Sequence, residues 1–324
     1  MSESAMPLLE IRGLKTWYPI KKGVLARTVG FVRAVDGVDL TLVRGETLGI
    51  VGESGCGKST LARTVLRLEK PREGSISLNG EDVLALRGSA LRAYRRAVQV
   101  VFQDPHASLN PRHTVLELLT EAALAHGLVT RENRRGAAVR LLADVGLSED
   151  ALDRYPHAFS GGQRQRICIA RALALGPQLL ICDEAVSALD LSVRAQVLNL
   201  LADLKAKHGL SYLFITHDIG VVQHLADRIA VMYLGKIVET GPADAVLQAP
   251  AHPYTRLLLQ AVPRIGTPLP EESAPSEVAA APDSQGCSFA PRCPLADSAC
   301  RAACPSLQPV GTPDRFCACF KARV

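Results

Sequence analysis

Residues 49–65 read GIVGESGCGKSTLARTV. From Gly52 the run is G-E-S-G-C-G-K-S, the spacing of glycine, four residues, then Gly-Lys-Ser/Thr that cradles phosphate. The residues before it, Thr47–Val51, predict a buried strand, and Leu61–Leu68 predict a helix whose start lies near Lys58. Glycines let the backbone curl so that successive N–H groups point inward, and the helix start adds the positive end of its dipole. Lys58 supplies a mobile point charge for terminal phosphates, and Ser59 a hydroxyl ligand for Mg²⁺. A glycine-rich turn that binds nothing is the blander reading. The strand before and the helix after favour a nucleotide site.

Working outward, further short apolar runs predict buried strands at Leu48–Val51, Val98–Phe102, Leu179–Cys182, Tyr212–Ile215 and Ile229–Tyr233. Helical patterns lie between them, the clearest over Val193–His208, with Val193, Val197, Leu200, Leu201 and Leu204 on one face. Strands alternating with helices imply an α/β fold with a largely parallel sheet, which binds ligands at the carboxyl ends of its strands. The GESGCGKS loop, Gln103, Asp183–Glu184 and His217 each follow a predicted strand. Residues 105–165 break the alternation and read as a helical insertion. Lys236–Gly241 (KIVETG) reads as the end of a hairpin. Residues from about 8 to 262 thus read as one continuous α/β unit. Residues 263–286 hold five prolines and little apolar content and read as a linker.

Composition narrows the class. Of 324 residues, 48% are hydrophobic, enough for a sizeable core, and the net charge is +5. That mild basicity suits phosphate or an anionic membrane surface, but it lacks the concentrated basic face of nucleic-acid binders. Aromatics, at 4%, are too few for base-stacking platforms. The start, MSESAMPLLEIRG, has no basic run followed by an apolar one, and no window reaches the length of a membrane span, so a cytosolic chain is expected. Cys56, Cys168 and Cys182 are scattered and read as packing residues. The other six of nine cysteines fall within residues 287–324. In a reducing compartment such a cluster reads as a metal site before disulfides. Only His217 among the histidines takes a role, from its place after a strand.

Two further motifs carry chemistry. LLICDE (Leu179–Glu184) is an apolar strand ending in Asp-Glu, where Asp183 would hold Mg²⁺ through water and Glu184 would accept a proton from attacking water. FSGGQRQR (Phe159–Arg166) opens a helix with small residues, and Ser160 can cap it while offering a hydroxyl to phosphate. Taken with Gln103, Ser187–Asp190 (SALD) and Ile215–Asp218 (ITHD), these occur in the order of an ABC transporter ATPase, which the chain resembles over residues 8–262. The SGGQ run is the specific part of that likeness. The resemblance implies a P-loop NTPase with a RecA-like parallel sheet and a helical signature subdomain, in which two ATPase domains sandwich two ATPs. It implies that Gly52, Glu53, Ser54, Gly55, Cys56, Gly57, Lys58, Ser59 and Thr60 wrap the phosphates. Ser59 and Gln103 contact Mg²⁺, and Gln103 also senses a transmembrane partner. Ser160, Gly161, Gly162 and Gln163 clamp the γ-phosphate of the opposite ATP. Glu184 is general base, His217 holds the γ-phosphate and water in line, and Asp190 couples the two sites. An aromatic stacks on adenine, Tyr18 first and Trp17 second. Ala185 departs from the usual proline and Phe159 from the usual leucine; neither removes a functional group.

TWYPIKKG, VFQDPHASLNP, YPHAFSGGQRQRI, AHPYTRLLL and the cysteine-rich tail narrow the resemblance to the ATPase subunits of dipeptide/oligopeptide importers, and the extended N-terminal segment to the F-type subunit. That branch implies a second ATPase as heterodimer partner, two permease subunits, an extracytoplasmic binding protein and a place on the cytoplasmic face of the inner membrane, without nucleic acid. Nickel or glutathione as solute is the alternative. The tail, residues 287–324, resembles a segment that binds a [4Fe–4S] cluster, which implies Cys287, Cys293, Cys300 and Cys319 as ligands. Cys317 competes for the last place, Cys304 is an extra, and zinc is the alternative metal. A soluble ABC ATPase acting on DNA or ribosomes, and a P-loop kinase, are the rival functions.

Overall fold

The computed structural model describes residues 6–23, 26–261 and 286–322, so the proline-rich stretch 263–285 lies outside the described residues. Two compact units are distinguished: residues 1–42, 47–84 and 216–324, and residues 43–46 with 85–215.

The first unit begins with a long antiparallel hairpin, β1 (Leu9–Lys22) and β2 (Arg27–Leu42). Its base alternates as a half-buried sheet must, with Val38, Leu40 and Leu42 inside and Asp39 and Thr41 outside. β4 (Glu73–Leu78) pairs with β1, and β5 (Glu81–Asp82) with β4, giving the order β2-β1-β4-β5. The predicted strand before the phosphate loop is β3 (Thr47–Val51), buried throughout. It pairs in parallel with β9 (Arg228–Tyr233), which turns antiparallel into β10 (Lys236–Pro242), so KIVETG is the second arm of a hairpin. Helix α1 (Lys58–Val65) buries Leu61, Ala62 and Val65. Helix α8 (Ile219–Leu225) packs so close to β3 that a side chain at Gly49 would run into Val222. Two short helices, α9 (Ala243–Gln248) and α10 (Pro253–Gln260), follow β10.

The cysteine-rich segment is part of this unit. After a single 3-10 turn (Ala290–Arg292) and helix α11 (Ser298–Ala302) come β11 (Gln308–Val310) and β12 (Thr312–Cys317). β12 pairs antiparallel with β10, matching Glu239 to Cys317 and Thr240 to Phe316. Phe289 joins a core of Val51, Val231, Tyr233, Val246 and Tyr254, with Cys287 and Cys293 packed against it. A buried ion pair stitches the join. Arg315 of β12 donates to Glu239 of β10 at 2.7 Å, with side chains 3% and 0% exposed. Glu239 also accepts the N–H groups of Ala251 (3.0 Å) and His252 (2.9 Å).

The second unit holds three parallel strands, β6 (Val98–Val101), β7 (Leu179–Asp183) and β8 (Ser211–Thr216), in the order β6-β7-β8. Helix α2 (Gly88–Ala97) leads into β6. The span 105–165 is helical as expected: α3 (Pro105–Ser108), α4 (Val115–Ala125), α5 (Arg134–Asp144) and the start of α6 (Gly161–Leu173), with no strand among them. α7 (Leu191–His208) buries Val197, Leu198, Leu201 and Leu204. The sequence pattern misplaced part of that face: Leu198 is buried, while Val193 and Leu200 are only half-buried.

All five predicted strands are present. The expectation of simple strand–helix alternation is too narrow, since β1, β2, β4, β5, β10, β11 and β12 add antiparallel pairing. β1 and β2 escaped notice because bulges interrupt their alternation between Ile11 and Leu14 and between Thr16 and Trp17.

Candidate functional site

The phosphate loop leaves β3 at Gly52, whose φ is 158°, and reaches α1 through Gly57, whose φ is 110°. A side chain at Gly52 would strike the Met232 carbonyl, and one at Gly57 the Ala34 carbonyl. Both positions are therefore closed to anything but glycine, which is why the motif has it there. The turn between β9 and β10 props the loop from behind: Gly235 N–H donates to Cys56 O at 2.9 Å, and Asp36 N–H to Gly235 O at 2.8 Å. No side chain caps the start of α1. Its first N–H groups thus offer the anion-facing terminus the sequence predicts. Lys58 is 4% exposed. It arches back to donate to the carbonyls of Gly52 (2.7 Å) and Glu53 (2.9 Å), bonds for which an arriving phosphate competes. Glu53 keeps its own polar groups within the protein: its N–H donates to Tyr254 Oη at 2.8 Å, and its carboxylate meets Arg292. Burial pushes the Cys56 thiol up, against the pull of Lys58.

The aromatic pair upstream divides by strand alternation. Trp17 is committed: Arg33 and Arg72 lie 4.9 and 4.7 Å from its ring, and its Nε1 donates to Asp36 at 3.2 Å. Thr16 points the other way, meeting Thr64 of α1 at 3.0 Å. Tyr18, half-buried, is the next residue along the strand. His217, exposed, follows β8 directly, and Asp218 beside it caps α8 through Gly220 N–H.

In the second unit, Asp183 closes β7 and is 6% exposed. Glu184 has φ 51°, an uncommon conformation for a residue with a side chain, held by its N–H donating to Ile215 O at 2.9 Å. Gln103 Nε2 donates to Glu184 Oε2 at 2.9 Å. The two residues that sequence placed after separate strands, β6 and β7, are thus in direct contact. Ala185 and Phe159, the two departures, are both buried. After Gln103, Asp104 caps the short helix α3 through His106 N–H.

The signature is a capping box. Ser160 Oγ accepts from Gln163 N–H at 3.4 Å, and Gln163 Oε1 accepts from Ser160 N–H at 3.0 Å. Ser160, Gly161 and Gln163 are exposed. A side chain at Gly162 would enter Val193 of α7, so the second glycine is set by packing. Asp190, exposed, begins α7 without forming a side-chain cap.

Cys287, Cys293, Cys300 and Cys319 line one small cavity together with His252 and Phe289. Cys317 lies instead within β12, 1% exposed, its thiol pushed far up chiefly by burial. Cys304 is exposed, with Lys236 Nζ at 3.5 Å. Burial raises Cys287 and Cys319, and neighbouring thiols add to it. Among the described residues no three His, Cys, Asp or Glu side chains gather as tightly as a single metal ion needs. Cys168 and Cys182 are buried with thiols pushed up to about 11 and about 12, as packing residues are.

Sequence reasoning missed Tyr254, Arg292 and the Glu239–Arg315 pair. Tyr254 lay within the quoted stretch AHPYTRLLL and Arg292 within the cysteine-rich tail, but nothing local assigned them a partner.

The ABC transporter family model matches residues 35–187, and that for the oligopeptide/dipeptide transporter C-terminal region matches residues 238–300. Oligopeptide transport ATP-binding protein AppF of Bacillus subtilis is 48% identical over 318 residues, covering 96% of this chain and 96% of that protein. Dipeptide transport ATP-binding protein DppF of Escherichia coli is 47% identical over 320 residues, covering 97% and 94%. Among solved structures, a dimeric ATP-binding cassette in a post-hydrolysis state bound to ADP and Pi matches with a TM-score of 0.64 at 29% identity, over 72% of this chain and 98% of that one.

Proposed function

Because the chain belongs to the ATP-binding subunits of ABC transporters, we propose that it powers the uptake of di- and oligopeptides. The chain is an ABC-type ATPase that works with membrane permease subunits. Among the described residues no helix is long and apolar enough to cross a membrane, so the passage belongs to those partners. The observation that carries the solute reading is the match of the peptide-transporter C-terminal region to residues 238–300, beside the ATPase match.

The finer roles are part of the same proposal. Residues 1–262 act as the ATPase and 287–324 as an accessory segment. Gly52–Thr60 wrap the phosphates, Tyr18 stacks on adenine, and Ser160–Gln163 grip the nucleotide of a sister ATPase in a heterodimer. Glu184 takes the proton from the attacking water while His217 aligns it, and Asp190 links the two sites. Ser59, Gln103 and Asp183 would hold Mg²⁺, whose charge offsets that developing on the phosphates. Phosphoryl transfer to water is mostly positioning, so dividing its donors between two subunits makes hydrolysis wait for closure. Closure is a motion that the 103–111 loop can pass to a permease. The extracytoplasmic binding protein delivers solute, and the subunit sits on the cytoplasmic face of the inner membrane. Cys287, Cys293, Cys300 and Cys319 would hold a [4Fe–4S] cluster, supported by their shared cavity.

The deciding experiment uses the subunit reconstituted in liposomes with its sister ATPase, permeases and binding protein. Dipeptides or short oligopeptides are expected to raise ATP turnover several-fold over the solute-free rate. Stimulation by nickel or glutathione alone would overturn the peptide reading. Iron and sulfide in equal amounts in anaerobically purified protein, with absorbance at about 400 nm, support the cluster, and stoichiometric zinc refutes it.

A further inference from the structure

Glu53 is the second residue of the phosphate loop, and its polar groups are all engaged. Its N–H donates to Tyr254 Oη (2.8 Å), and its carbonyl accepts from Lys58 Nζ (2.9 Å). Its two carboxylate oxygens receive the two Nη groups of Arg292, each at 2.8 Å. Arg292 lies one residue before Cys293, and Phe289 two residues after Cys287. The segment between these cysteines therefore reaches the loop directly through Arg292 and indirectly through Phe289, which packs on the Tyr254 that accepts the Glu53 N–H. Phe289 packs edge-on to Tyr233 at 5.3 Å and tilted against Tyr254 at 5.5 Å. The Arg292 guanidinium lies near 6 Å from the Tyr233 and Phe289 rings. Its side chain is 23% exposed and that of Glu53 39%. The bond to Glu53 is the largest influence holding Arg292 in its charged form.

Two consequences follow for a loop that receives a polyphosphate. A two-point guanidinium–carboxylate bond fixes orientation as well as distance, so Arg292 sets where the loop's first peptide units stand. A bare carboxylate next to bound phosphates would repel them, and Arg292 neutralises it. We infer that Arg292 is a positioning residue for nucleotide binding: the cysteine-rich segment acts as a strut whose seating sets the affinity of the phosphate loop. This rests on the reading that residues 52–60 hold the phosphates and adds a second controller of that site.

The test titrates Mg·ADP onto the purified full chain. Arg292→Gln is expected to weaken binding about tenfold, raising KM for ATP by a similar factor while kcat at saturation stays within about twofold. Adding Glu53→Gln to Arg292→Gln removes the exposed negative charge and is expected to bring affinity back to within about threefold of the parent. Arg292→Lys, which keeps the charge but loses the fork, is expected to fall between the two. A merely structural role would lower kcat with melting temperature and show no recovery in the double variant. Parent-like binding by Arg292→Gln, or no recovery in the double variant, overturns the inference. Should Arg292→Gln not fold, Arg292→Lys decides, and parent-like affinity there overturns it. Lys58→Ala separates the underlying reading: if it still binds Mg·ADP, the phosphate-loop assignment itself fails.

Discussion

Glu184→Gln is expected to abolish ATP turnover while leaving nucleotide binding intact. The amide cannot accept a proton, and loss of a positioned general base costs about 10²–10⁴ in rate. It keeps the size of the carboxylate and a carbonyl oxygen, so the bond donated by Gln103 Nε2 survives. The backbone restraint from Ile215 O is untouched. The variant is therefore read at constant structure. Phosphate release gives the turnover, and equilibrium titration with Mg·ATP gives an affinity within about threefold of the parent, since proton acceptance is used only in the transition state. Gel filtration in ATP is expected to show an accumulated dimer. Turnover above about a tenth of the parent rate would remove Glu184 from the role of base.

Arg315→Met is the substitution expected to cost the most stability. Glu239 is fully buried and faces one guanidinium and two N–H donors. Removing the guanidinium leaves a buried carboxylate without a counter-charge, which costs about 3–5 kcal/mol. That is a large share of the ~5–15 kcal/mol by which proteins are stable. The melting temperature is expected to drop by roughly 10 °C. Adding Glu239→Gln replaces the stranded charge by a neutral acceptor and is expected to recover about half of the loss. A melting temperature within about 2 °C of the parent would mean the pair does not hold β12 to β10.

The sequence disclosed the parts of the site whose chemistry is local. The phosphate loop, the Ser160–Gln163 box and the Asp-Glu after β7 are each written within a few residues, and continuous apolar runs betray strands buried on both faces. Partnerships between distant residues were not legible. Glu53 and Arg292 are 239 residues apart and Glu53 and Tyr254 are 201 apart, so no spacing rule connects them. The β1–β2 hairpin hid for a different reason. Its outer half exposes Val29, Phe31 and Val32, so apolar residues there do not track a buried face.

The interleaving of the chain also orders its biogenesis. Residues 85–215 form a continuous stretch whose contacts can close while the ribosome is still at work. The unit holding the phosphate loop needs β12, whose residues are made only after that stretch, to cover β10 and to supply Arg315. A nascent chain can thus close one unit before β12 exists to brace the other.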